Sequence, residues 1–208
     1  MYKMLLVSMF HKVADLVKIV EPNLKDKSVI YISTASNVEK LGFFTKIGKW
    51  KLKKMGLIVD ELYVSTAKYS DIVNKIENSD IIYIAGGNTF FLLQELIRSG
   101  ADNVLIREIQ SGKLYIGESA GVIVVAPDIE YSAEMDQKEK APNLKKYTGL
   151  NLVDFYVVPH YKNWEMGKSA KKIIEEYSDK LDLKIINDNQ AIYIENRKIR
   201  IVNSEWRW

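Results

Sequence analysis

The chain has 208 residues, with 30 Lys and Arg against 27 Asp and Glu, a formal net charge of +3 and 47% apolar residues. That is long enough to bury one sizeable core and too evenly charged for the concentrated basic face of a nucleic-acid-binding protein. There is no cysteine, which excludes disulfides, thiolate metal sites and cysteine nucleophiles. The N-terminal stretch has no signal-peptide apolar region, and no apolar run reaches membrane-spanning length. We expect one cytoplasmic α/β domain over residues 1–208, a monomer or homodimer, with no membrane or nucleic-acid partner and no metal or cofactor.

Met4–Ser8 reads as a first strand, and Phe10–Val20 has helical spacing with Val13, Leu16, Val17 and Val20 on one face. Ser28–Ser33 is a β-branched run suited to a strand buried on both sides, followed by a turn at Thr34–Asn37. Val38–Met55 reads as a helix stopped by Gly56, with Lys46, Lys49, Lys51, Lys53 and Lys54 as a solvated face. Leu57–Val64 is a third strand, Asp71–Asn78 a short helix and Asp80–Ala85 a fourth strand. Gly86-Gly87-Asn88-Thr89 then leads into helix Phe90–Arg98, with a further helix at Ala101–Ser111 and a strand at Leu114–Ile116. This alternation predicts a doubly wound, mostly parallel sheet with helices on both faces. The loops that follow its strands share the edge where such folds bind ligands. Residues 127–150 turn polar and read as a surface excursion, a lid or a plain loop. Asp154–Pro159 returns as a strand, Lys168–Tyr177 as a helix, and Leu183–Ile186, Ala191–Ile194 and Ile199–Val202 as short strands that finish the sheet.

Gly117-Glu-Ser-Ala-Gly121 lies between a strand and a following apolar segment. A Gly-x-Ser-x-Gly turn there is a nucleophile elbow, which exposes the serine oxygen and aims the next backbone N–H, that of Ala120, at the same space. Ser119 then needs a base, and the chain has two histidines. His11 opens the first helix among ordinary neighbours. His160 ends the strand Asp154–Pro159, which places it at the elbow's edge of the sheet. For the carboxylate that orients the base, Asp128, Asp136 and Asp154 precede His160. Asp188, between two short strands, follows it, while Glu165, Glu175, Glu176 and Asp182 fall on or near a helix. Gly86-Gly87 matches neither the dinucleotide fingerprint nor the P-loop, and suits a second oxyanion donor or a structural turn.

Together Ile84-Ala-Gly-Gly-Asn-Thr-Phe90, Gly117–Gly121, Val158-Pro-His160, Asp188-Asn-Gln-Ala-Ile192 and the early Val29–Ser36 strand and turn resemble the peptidase E family of serine peptidases, family S51, which includes the cyanophycinases. The resemblance spans nearly the whole chain. It implies a fold similar to the class I glutamine amidotransferases, with Ser119 as nucleophile, His160 as base, Asp188 as the orienting acid and Gly87 and Ala120 as oxyanion donors. Asn189 stands where the family commonly has glycine. The implied activity is removal of N-terminal aspartate from dipeptides, with Asn88, Thr89 and Lys162 as candidate substrate contacts; no arginine is present between Tyr161 and Tyr177 to clamp a carboxylate. The alternatives are another acyl hydrolase, cyanophycinase-like or an esterase, and a silent member that binds a small molecule.

Overall fold

Short strands that are apolar at successive positions call for a sheet covered on both faces, and that is what the chain builds. The computed structural model describes residues 3–39 and 42–204. Five strands are parallel: β1 (Lys3–Val7), β2 (Ser28–Ile32), β3 (Ile58–Leu62), β4 (Ile81–Ile84) and β5 (Leu114–Glu118). Two further strands, β8 (Gln190–Glu195) and β9 (Lys198–Asn203), extend the sheet antiparallel beside β1, in the order β3-β2-β4-β5-β1-β8-β9. The hairpin between them turns at Asn196 and Arg197, both with positive φ, as a tight two-residue connection requires.

Each central strand feeds two cores. Leu5, Val7, Tyr31, Tyr83 and Ile116 pack with the helices α1 (Phe10–Val13), α2 (Val17–Val20) and α3 (Gly42–Lys54). Met4, Leu6, Ile32, Ile84 and Tyr115 face the other way, toward α4 (Tyr69–Glu77), α5 (Thr89–Ser99), α6 (Ala101–Gln110), α7 (Ala120–Ile123) and α8 (Gly167–Tyr177). Burial on both faces explains why these strands read as continuous apolar runs.

Three expectations change in the structure. The segment Phe10–Val20 is two short helices joined by a 3₁₀ turn at Ala14–Leu16, although its apolar face is buried throughout. The segment Val38–Met55 is α3 preceded by a 3₁₀ turn at Thr34–Val38; Lys40 and Leu41 lie outside the described residues, as do the C-terminal Trp206 and Trp208. The strand that ends before His160, β6 (Tyr156–Val158), does not join the main sheet, nor does β7 (Leu183–Ile185). They pair with each other in a separate parallel two-stranded sheet. Residues 127–150 pack through 3₁₀ turns at Glu130–Glu134 and Lys138–Lys140, and Tyr131 donates from its buried hydroxyl to the Val157 carbonyl. No helix among the described residues is long and apolar enough to cross a membrane.

Because Leu6 is wholly buried in β1, between β5 and β8, Leu6→Ala should lower unfolding free energy by about 2–5 kcal/mol. Urea denaturation checks this: a lower midpoint with an unchanged slope is expected.

Candidate active site

The strand order determines which loops meet. β4, β5 and β1 are adjacent and parallel, so Gly86-Gly87, Ser119 and Ser8, which follow them, share one edge. β8 runs antiparallel to β1, with Val7 opposite Ala191, so the turn that precedes β8 arrives at the same edge and carries Asp188 with it. His160 comes from the end of β6, held there by a donor bond from Ile186 N–H to the Val158 carbonyl at 3.0 Å.

Ser119 has φ 52° and ψ −106°, a sparsely populated conformation that costs on the order of 1–3 kcal/mol and lifts its side chain off the sheet. The turn closes only on small residues: a Cβ on Gly121 would lie 2.4 Å from the Ile84 carbonyl oxygen. Ser119 Oγ lies 2.9 Å from His160 Nε2, and His160 Nδ1 lies 3.2 Å from Asp188 Oδ1. His160 itself has φ 62°. The three expected residues are therefore brought together in hydrogen-bond contact, in the chain order Ser, His, Asp. Of the other candidate acids, Asp128 accepts from Glu130 N–H and Asp154 is exposed, while Asp136, which accepts from Thr89, and Glu165 line the cavity over the serine. His11 is half-buried in α1; burial, with Lys12 and Lys51 nearby, lowers its pKa.

Asp188 is buried and accepts four side-chain donors. Ser8 Oγ is 2.8 Å from Oδ1, and Asn163 Nδ2 and Lys12 Nζ are 2.7 and 3.4 Å from Oδ2, beside the His160 contact. Burial alone would raise its pKa, but hydrogen bonds from His160, Asn163 and Ser8 outweigh that and hold it well below the usual carboxylate range. Asn189 is not in the left-handed region, so this turn needs no glycine there.

Gly87 lines the same cavity as Ser119, and Ala120 follows the serine in the chain. Gly87 has φ 141°, and a Cβ there would lie 2.2 Å from the Ala35 carbonyl oxygen; only glycine lets these two loops approach. Ala120 is the first residue of α7, so its N–H has no intrahelical acceptor. A cavity of about 410 Å³ opens over Ser119 and His160, walled by Gly86, Gly87, Asn163 and the Met135–Asp136 stretch of the polar excursion.

Asn88, Thr89 and Lys162 are placed differently from expectation. Asn88 is buried as the N-cap of α5, accepting from Phe91 N–H at 2.9 Å, and donates to the Gln137 carbonyl at 3.1 Å. Thr89 is buried too, and its hydroxyl and N–H both donate to Asp136 Oδ2, at 2.5 and 3.0 Å. Lys162 is exposed, with its ammonium 5.3 Å from the Tyr161 ring. None of the three lines the cavity. The residues the sequence reading missed are Ser8, Asn163, Lys12 and Glu118. Glu118 is buried, accepts from Phe10 N–H at 2.8 Å and from the Tyr83 hydroxyl at 2.7 Å, and has its pKa raised by burial. Among the described residues, no three His, Asp or Glu side chains converge as a metal site requires.

The family model for peptidase family S51 matches residues 4–202. An uncharacterized peptidase of Listeria monocytogenes, Lmo0363, is 44% identical over 96% of this chain and 97% of its own length. An uncharacterized peptidase of Pasteurella multocida, PM1590, is 45% identical over 94% and 95%. A crystal structure of a protein provisionally assigned as Peptidase E, from Listeria monocytogenes, superposes with a TM-score of 0.95 at 42% identity, covering 99% of this chain and all of that one.

Asp136 gives the site a pH signature. Burial raises its pKa from 3.8 to about 6, against the opposing hydrogen bonds from Thr89. The folded state therefore holds this proton more tightly than the unfolded chain, and stability falls as pH rises from about 4 to about 6. Thermal unfolding of wild type and Asp136→Asn across pH 4–8 should show the wild type losing ground over that window. Parallel curves would contradict it.

Proposed function

This chain belongs to peptidase family S51, and we propose that it is a serine exopeptidase that hydrolyses small peptides through an acyl-enzyme on Ser119. The observation that carries the reading is the 2.9 Å contact between Ser119 Oγ and His160 Nε2 at the floor of a cavity. Its size suits a short peptide.

The chemistry follows from the parts. With Nδ1 protonated toward Asp188, Nε2 is free to accept the Ser119 proton as Oγ attacks the peptide carbonyl. The carbonyl oxygen gains the negative charge, facing the N–H groups of Gly87 and Ala120. Such donors are worth roughly 10²–10³ in rate each. Protonated His160 then gives its proton to the leaving amine as the C–N bond breaks. A water, deprotonated by the same imidazole, releases the acyl group from Ser119.

Substrate selection follows from the cavity wall. Glu39, Glu118, Asp136 and Glu165 line it, and no lysine or arginine does so among the described residues. Glu39 is paired with Lys140 at 2.7 Å. A peptide's free α-ammonium suits this wall, whereas an aspartate side chain enters a cavity of its own sign. Among the described residues, the cavity wall offers no cation for the N-terminal aspartate that the resemblance implies.

Release of free amino acids from Asp-, Ala-, Leu- and Lys-leading dipeptides tests both levels. Hydrolysis should fall by several orders of magnitude in Ser119→Ala, and the Asp-leading peptides should be the poorer substrates. Undiminished turnover in Ser119→Ala would refute serine catalysis. A strict preference for aspartate would refute only the reading of the wall. Turnover of simple esters without peptides would move the assignment to an esterase.

A further inference from the structure

The end of β1 touches Ser119, His160 and Asp188, although none of its residues has a part in the mechanism above. The Val7 carbonyl accepts from Ser119 N–H at 3.1 Å. Ser8 Oγ accepts from the backbone N–H of His160 at 2.7 Å, donates to Asp188 Oδ1 at 2.8 Å and lies 3.0 Å from His160 Nδ1. The direct separation of Nδ1 from Oδ1 is longer, 3.2 Å. Ser8 is 1% exposed, so these contacts are shielded from solvent.

A hydroxyl has one proton to give and two lone pairs to offer. Of the three partners, ionised Asp188 can only accept, so it takes the Ser8 proton. The lone pairs are left for the two N–H groups of His160, one on the backbone and one at Nδ1. Nδ1 must carry its proton for Nε2 to accept from Ser119. That Nδ1–H is then shared between two acceptors, Ser8 Oγ and Asp188 Oδ1, with Ser8 the nearer.

We propose that Ser8 is a positioning residue for the base. Its hydroxyl, oriented by Asp188, grips His160 at both the ring and the backbone, and so sets the imidazole's tautomer and its aim at Ser119. The carboxylate thus acts on the ring partly through Ser8, and alanine at this position would leave both N–H groups of His160 with weaker partners. The inference rests on the reading of Ser119 as nucleophile and His160 as base.

The test uses a probe that does not depend on the natural substrate: the rate at which phenylmethanesulfonyl fluoride adds to Ser119, followed by intact mass. Wild type should react and Ser119→Ala should not; an inert wild type overturns the nucleophile reading and this inference with it. Ser8→Ala should react about 10- to 100-fold more slowly, the scale of a misplaced catalytic group, and Ser8→Thr, which keeps the hydroxyl, should recover most of the rate. A reactive wild type matched by an equally fast Ser8→Ala, or a Ser8→Thr as slow as Ser8→Ala, overturns the inference alone. In wild-type protein labelled with ¹⁵N-histidine, the Nδ1 proton of His160 should show a cross-peak to the Ser8 β-protons. Its absence overturns the contact even if Ser8→Ala does not fold.

Discussion

One buried carboxylate imposes the arrangement of this site. Taking an ionised Asp188 out of water costs several kcal/mol unless its oxygens are fully hydrogen-bonded. The structure meets that requirement with donors from two separate stretches of chain, Ser8 and Lys12 around α1 and His160 and Asn163 after β6, which close on the turn before β8 that carries the carboxylate. Satisfying the acid therefore also determines where the histidine sits. The result is a buried negative charge held against the His160 ring, which orients the imidazole.

Sheet topology makes that convergence possible. A serine at the end of β1 and an aspartate before β8 are 180 residues apart, yet antiparallel pairing of these strands places their ends side by side. The parallel neighbours β5 and β4 contribute Ser119 and the glycine pair from the same edge. The strain at Ser119 is supported locally, by its N–H bond to the Val7 carbonyl and by the close packing of Gly121 on Ile84. Backbone strain of this kind persists only where its surroundings hold it.

The parts legible in the sequence are those whose constraint is local. Glycines flanking Ser119 announce a turn that no bulkier residue fits, and apolar runs announce strands buried on two faces. With two histidines in the chain, the strand end at His160 stood out. Asp188 was separable from other carboxylates only through family resemblance, because the pairing that delivers it is long-range. Side-chain direction was not legible. Asn88, Thr89 and Lys162 are near the site in sequence, but helix capping takes Asn88, Asp136 takes Thr89, and Lys162 faces solvent. Ser8 carried no signal at all, since a serine closing a strand is ordinary until the structure shows what its hydroxyl touches. The pairing of β6 with β7 away from the main sheet escaped for the same reason: strand patterns state burial, not partner.

The proposed nucleophile is Ser119, activated by His160. Peptide mapping after exposure to an alkyl fluorophosphonate addresses it most directly, because the reagent marks an activated serine covalently. One adduct is expected, on the peptide that contains Ser119, with near-complete loss of labelling in His160→Ala. An adduct on a different residue, or labelling of Ser119 undiminished without His160, would contradict it.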